Sequence, residues 1–267
     1  MASSNKKLII GNWKMNLDMH EASLYLHKLS GLAKTHRGVD VVLAPSMLML
    51  QSLSLQVNYR QFKLAAQNLY WRDQGAFTGE VSAQQLSGIV QYAIIGHSER
   101  RHIFHESDKD TRNKVQAAIR NGISPVLCIG ETASERMANE TAHVLHDQLI
   151  GGLANVTSEE ISQMAIAYEP VWALSNGTDF EHHKMPTPDD VRRVEAAVRS
   201  QIKHLYGVKA SQSVRVLYGG STNSENADAY LNIPGIDGLL VGGASLDAEV
   251  FSGIIEKAHN AASALAK

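Results

Sequence analysis

One unit recurs eight times along these 267 residues, and it dictates what the chain can become. A short apolar run ends in Gly, Pro or a polar residue, and a longer segment of helical period follows. The runs are KLIIGNWK (7–14), VDVVLAP (39–45), FKLAAQN (62–68), YAIIGHS (92–98), SPVLCIG (124–130), MAIAYEP (164–170), VRVLYGG (214–220) and GLLVGGA (238–244). They are nearly continuous in apolar residues rather than alternating, as strands covered on both faces of a parallel sheet are. Between them lie amphipathic stretches such as EASLYLHKLSGLAK (21–34), KDTRNKVQAAIRNG (109–122) and DDVRRVEAAVRSQIKHLYG (189–207). Gly122 and Gly207 stand where a helix C′ residue belongs, and Thr187-Pro188 reads as N-cap then N1. Strand and helix alternating eight times within about 250 residues predict an α/β chain folded as a (β/α)8 barrel. A doubly wound open sheet would share the alternation, but no GxGxxG follows the first run. No linker or shift in composition divides the chain, so one domain over 1–267 is expected.

Charge and composition narrow the function. A formal net charge of −2 offers no footprint for nucleic acid or for a polybasic contact with a membrane. No apolar stretch approaches the roughly 18–20 residues that span a bilayer, and the N-terminus MASSNKKLIIGNWKMN lacks the apolar core of an export signal. One cysteine, Cys128, excludes an internal disulfide framework and fits a reducing compartment. The expected location is cytoplasmic.

In such barrels the active site forms at the C-terminal ends of the strands, so the residues closing each run carry the weight. Run one places Asn12 and Lys14 at the rim, where strand alternation turns both inward and the ammonium wants an anionic ligand. Run four ends on Gly96-His97, with Ser98 as N-cap of a short helix. A helix N-terminus disfavours imidazolium, leaving His97 neutral and able to donate a hydrogen bond. Glu99, Arg100 and Arg101 follow as supporting ion pairs. Run six ends on Glu169, a carboxylate closing an apolar stretch, whose partial desolvation would raise its basicity. Runs seven and eight end in YGGST and VGGAS. Glycine pairs there let backbone N–H groups approach a phosphate at helix N-termini, with Ser221 adding a hydroxyl and an amide. One base, one neutral hydrogen-bond donor, one cation and a phosphate cup describe proton transfer beside the carbonyl of a small phosphorylated sugar. No metal set is visible and no cofactor is required. An aldolase on the same scaffold would want a Schiff-base lysine on a later strand, and none of those runs supplies one.

The motifs GNWKMN, AAQN, GAFTGE, IIGHSERR, CIGET, AYEPVWA, YGGS and LVGGASL, in this order, resemble the triosephosphate isomerase family over essentially the full length. The resemblance implies interconversion of dihydroxyacetone phosphate and D-glyceraldehyde 3-phosphate. It puts the base on Glu169, the electrophile on His97 and the electrostatic role on Lys14. Asn12 would hold substrate and Lys14, Ser98 would support Glu169 at rest, and Gly220, Ser221, Gly242 and Gly243 would bind phosphate. Cys128 corresponds to a buried strand-five cysteine with a packing role. Loop 68–82 (NLYWRDQGAFTGEVS) resembles the arm by which one subunit of a homodimer reaches its neighbour, with Thr78 at the tip supporting the neighbour's Asn12 and His97.

The likeness breaks directly after EPVWA. The family's lid has a glycine where Ser175 stands, and TDFEHH (178–183) has no counterpart before KMPTP resumes the register. Serine keeps its backbone N–H for a phosphate, Asn176-Gly177 suits the bend, and lengthening a loop is cheap. A closing lid with an outward bulge is therefore expected. His182 and His183 read as solvated decoration rather than a metal site, and Phe180 as an aromatic that packs onto a neighbour. The altered lid leaves one alternative, a phosphate-binding barrel with weak or no catalysis.

Overall fold

The computed structural model describes residues 6–33, 38–174 and 185–265. Within them β1 (Lys7–Asn12), β2 (Val39–Ala44), β3 (Phe62–Ala66), β4 (Tyr92–Ile95), β5 (Ser124–Ile129), β6 (Ala165–Tyr168), β7 (Arg215–Tyr218) and β8 (Gly238–Val241) are hydrogen-bonded in sequence order into a closed barrel. Every pairing is parallel, and β1 closes the barrel by pairing Leu8 to Gly11 with Gly238 to Val241 of β8. The (β/α)8 architecture read from the repeating unit is the one observed.

The apolar runs are continuous because each strand faces two interiors. Leu8, Ile10, Val42, Ala65, Ile94, Val126, Cys128, Ala165, Ala167, Leu217 and Leu240 fill the lumen. Ile9, Val41, Leu43, Leu64, Ile95, Leu127, Ile166, Val216 and Leu239 point the other way, into the layer shared with the helices. Side chains alternate along a strand, so residues two beyond a lumen residue inherit its side. Asn12 follows Leu8 and Ile10 in this way, and Glu169 follows Ala165 and Ala167.

The helices begin and stop where their caps dictate. Thr187 caps the helix Pro188–Tyr206 with a capping box to Asp190, and Gly207 ends it at φ +87°. The helix Asp108–Arg120 starts on a Ser107–Asp110 box, and Gly122, just past its end, has φ +72°. No described helix is long and apolar enough to cross a membrane.

Candidate active site

A cavity of about 540 Å³ opens at the C-terminal ends of the strands, lined by Asn12, Lys14, His97, Glu169, Gly220, Ser221, Gly242 and Gly243, among others. Residues closing β1, β4, β6, β7 and β8 thus meet in one place, as expected from their positions.

Glu169 is more enclosed than Asn12 or His97, at 2% exposed. Its backbone stays in the ladder beyond β6, since its N–H donates to the Ile129 carbonyl at 2.8 Å and Gly219 N–H donates to the preceding Tyr168 carbonyl at 2.7 Å. Its two carboxylate oxygens have separate partners. His97 Nε2 lies 2.9 Å from Oε1, and the Ser98 N–H donates to Oε2 at 2.8 Å. Burial opposes the carboxylate, but the His97 contact and the Ser98 amide outweigh it and hold Glu169 below the ordinary carboxylate range.

His97, not Ser98, is the N-cap of the short helix Ser98–His102, because its own Nδ1 accepts the Glu99 N–H at 3.2 Å. This corrects the expected cap by one residue and has a chemical consequence. An Nδ1 that accepts carries no proton, so the ring's proton sits on Nε2, facing Glu169. Burial lowers the pKa of His97, but the Glu169 carboxylate, with Glu99 behind it, prevails and raises it while the two side chains touch.

Lys14 reaches the cavity by a different route from the one strand alternation suggests. β1 ends at Asn12, and Lys14 lies beyond it with φ +54°, a left-handed backbone that costs a non-glycine residue about 1–3 kcal/mol. Two side chains hold that kink. Asn12 Oδ1 accepts the Lys14 N–H at 3.1 Å, and Gln67 Nε2 donates to the Lys14 carbonyl at 2.9 Å and to the Ala44 carbonyl at 2.8 Å. The ammonium pairs with Glu99 Oε1 at 2.7 Å.

The glycine pairs behave unequally. A Cβ on Gly219 would stand 3.0 Å from Glu169 Cγ and 3.2 Å from the Tyr168 carbonyl oxygen, so this glycine makes room for the carboxylate rather than for a ligand. Gly243 has nothing within 4 Å of such a Cβ, which leaves its backbone open to the cavity. Ser221 Oγ donates to the Ala173 carbonyl at 3.2 Å, so its amide rather than its hydroxyl proton is available to a ligand.

Thr78 is exposed, lies in loop 68–82 and is not among the residues that line this cavity. Phe77, 39% exposed, packs its ring 4.7 Å from that of Tyr70, which stacks on Trp71. Cys128 is buried in the lumen; burial, reinforced by the nearby Glu169, pushes its thiol well up. Ser175, the insert 178–183 and the pair His182-His183 lie outside the described residues. Gln67 was given no role from the sequence, and Gly219 was read only as part of the glycine pair of the phosphate cup. The signal for Gln67 was present, a polar residue closing the third apolar run.

A family model described as triosephosphate isomerase matches residues 7–258. The chain is 40% identical over 249 residues to a triosephosphate isomerase of Trichlorobacter lovleyi, covering 93% of this chain and 97% of that one. It is 42% identical over 252 residues to that of Alkaliphilus oremlandii, covering 94% and 98%. With that of Chloroherpeton thalassium the identity is 41% over 257 residues, covering 95% and 99%.

Proposed function

Because this chain belongs to the triosephosphate isomerase family, we propose that it interconverts dihydroxyacetone phosphate and D-glyceraldehyde 3-phosphate by proton transfer through an enediolate. Glu169 is the base, His97 the hydrogen-bond donor and Lys14 the cation. The observation that carries the reading is the His97–Glu169 contact at 2.9 Å inside a cavity that also holds an ammonium and two glycine loops.

The resting contacts suggest how the reaction starts. A substrate carbonyl oxygen that enters between His97 and Lys14 replaces Glu169 as acceptor of the Nε2 proton. Glu169 Oε1 is then free to take the proton from the neighbouring carbon. Negative charge moves to the substrate oxygen, where the Nε2–H donor and the Lys14 ammonium stabilise it without reorganising. A proton passes between the two substrate oxygens by way of His97 Nε2, leaving one as hydroxyl and the other as carbonyl; the protonated Glu169 returns its proton to the adjacent carbon, and the aldose and ketose have exchanged. Asn12 keeps Lys14 in place, and Ser98 receives Glu169 back at rest. The amides around Gly220, Ser221, Gly242 and Gly243 cradle the phosphate, and the family likeness gives Ser175 a share in binding it. No cofactor or metal takes part in this scheme.

The test is steady-state turnover of glyceraldehyde 3-phosphate, with methylglyoxal measured in the same samples. Rapid isomerisation with little methylglyoxal is expected, and Glu169→Gln should lower kcat roughly 10²–10⁴-fold, the usual worth of a general base. An unchanged rate would remove Glu169 from the role. No described residue favours the alternative of a barrel that binds phosphate without catalysis.

The same reading extends to assembly and location. We propose a homodimer through loop 68–82, with Thr78 at the interface. A second cavity of about 390 Å³ beside the active site, lined by Lys14, Met15, Gln67, His97 and Glu99 and by Gly79, Glu80 and Val81 of the chain's own loop, supports this reading as space a partner's loop tip would fill. Met15 is 94% exposed in the isolated chain. Sedimentation at micromolar concentration should give twice the chain mass. The free, buried Cys128 suits the reducing cytoplasm, where we place a single-domain enzyme.

A further inference from the structure

The chain on both sides of residues 175–184 lines the active-site cavity, through Leu174 on one flank and Met185 on the other. Arg136, from the short helix Ala133–Met137 after β5, touches both flanks. Its guanidinium lies 4.1 Å over the Trp172 ring, and its Nη1 is 3.5 Å from Glu131 Oε1. Its Nη2 donates to Asp190 Oδ1 at 3.1 Å. Each of these partners is itself tied to a flank. Glu131, fully buried, accepts from Trp172 Nε1 at 2.9 Å and from the Tyr168 hydroxyl at 3.1 Å, and its carbonyl accepts the Val171 N–H at 3.1 Å. Asp190 closes the capping box on Thr187, whose neighbour Pro186 is held by the Tyr230 hydroxyl at 2.9 Å. Arginine suits this position because its planar face stacks on the indole while its edge serves two carboxylates; lysine offers a point charge without the face.

We propose that Arg136 is a positioning residue for the reaction. It holds the Trp172 flank and the Asp190 flank in one register, so that Leu174 and Met185 keep their places across the cavity. The inference rests on the isomerase reading above. An enediolate phosphate there has two fates. It is protonated on the adjacent carbon, or its C–O bond to phosphate breaks, the pair leaving with phosphate and the remaining enol tautomerising to methylglyoxal. A cavity whose walls hold register favours the first fate by keeping water out and the intermediate oriented. The rival account makes Arg136 only the counter-ion of buried Glu131, whose loss would weaken the fold and nothing else.

Arg136→Leu, Arg136→Lys and Arg193→Leu separate the two accounts. Arg193 also donates to Asp190, at 2.6 Å, and so controls for that bond. Two quantities are read: methylglyoxal formed per isomerisation turnover, which does not depend on the folded fraction, and hydrogen exchange at residues 171–174 and 187–190. Arg136→Leu should raise the ratio at least fivefold and speed exchange on both flanks together. Arg136→Lys, which keeps the charge beside Glu131, should recover the melting temperature yet keep the ratio at least twofold up; Arg193→Leu should stay within twofold of the parent. Unchanged ratio and exchange in both Arg136 variants, even with a lower melting temperature, overturn the proposal in favour of the counter-ion. If the parent chain fails to isomerise, the functional reading falls, and exchange still decides. Faster exchange on both flanks then supports the coupling, and faster exchange on one flank or neither overturns it.

Discussion

A carboxylate enclosed to 2% exposure has almost no room to be wrong about its neighbours, and Gly219 marks the limit. Gly219→Ala puts a methyl 3.0 Å from Glu169 Cγ with the rigid Tyr168 carbonyl on its other side, so the carboxylate has to give way. The expected result is a fall in kcat of about tenfold or more with little change in KM, since a 1 Å misplacement can cost about a hundredfold; steady-state kinetics on the variant checks it. Gln67 offers a second test. Gln67→Ala removes the amide that ties the Lys14 carbonyl, at φ +54°, to the Ala44 carbonyl at the end of β2. Lys14 should then relax, and the affinity for a phosphorylated inhibitor should drop by roughly 1–2 kcal/mol, read by calorimetry. At this scale the sequence named the proposed reacting groups and two of their supports, Asn12 and Ser98, but gave no such role to Gln67 or Gly219. Glu169, His97 and Lys14 announce themselves as polar residues ending apolar runs. Gly219 looks like any turn glycine until Glu169 is seen beside it.

Among elements, the helix Pro188–Tyr206 shows how much a few residues announce. Thr187, Pro188 and Asp190 mark its start by local chemistry alone, and the observed N-cap is the expected one. Thr187→Ala should cost about 1 kcal/mol of stability. Asp190 adds a dependence on pH. Burial is the largest single influence and raises its pKa, but the Thr187 hydrogen bonds and Arg136 together outweigh it and lower the value from 3.8 to about 2. A depressed carboxylate stabilises the fold above its unfolded pKa and loses that contribution as pH falls through the folded one. The stability gap between the parent and Asp190→Asn should therefore be full at pH 7 and close between about pH 4 and 2, as measured by urea unfolding. The first strand was read too long for the same local reason. Apolar period carries past Asn12 in GNWK, but the left-handed turn at Lys14 ends the ladder.

For the whole molecule, Cys128 is a reporter. It lies in the lumen with no exposure, and burial pushes its thiol well up, so reagents that need thiolate should leave it unmodified in the native protein. Its labelling rate in rising urea should track global unfolding; fast labelling in buffer would mean that the barrel opens locally at β5. The fold itself was legible in the sequence, because a strand buried on both faces writes a continuous apolar run, and eight such runs with helices between leave little besides a closed barrel. The ends of those runs were legible as the site because parallel strands bring their C-terminal ends to one mouth. Which side chains meet there, and what supports them, only the tertiary structure decided. The ring proton of His97 is assigned by one amide of its own helix, Lys14 is held by a glutamine from β3's end, and Arg136 joins segments before and after residues 175–184. Such contacts depend on barrel register and on the packing of residues far apart in the chain, and local periodicity carries neither.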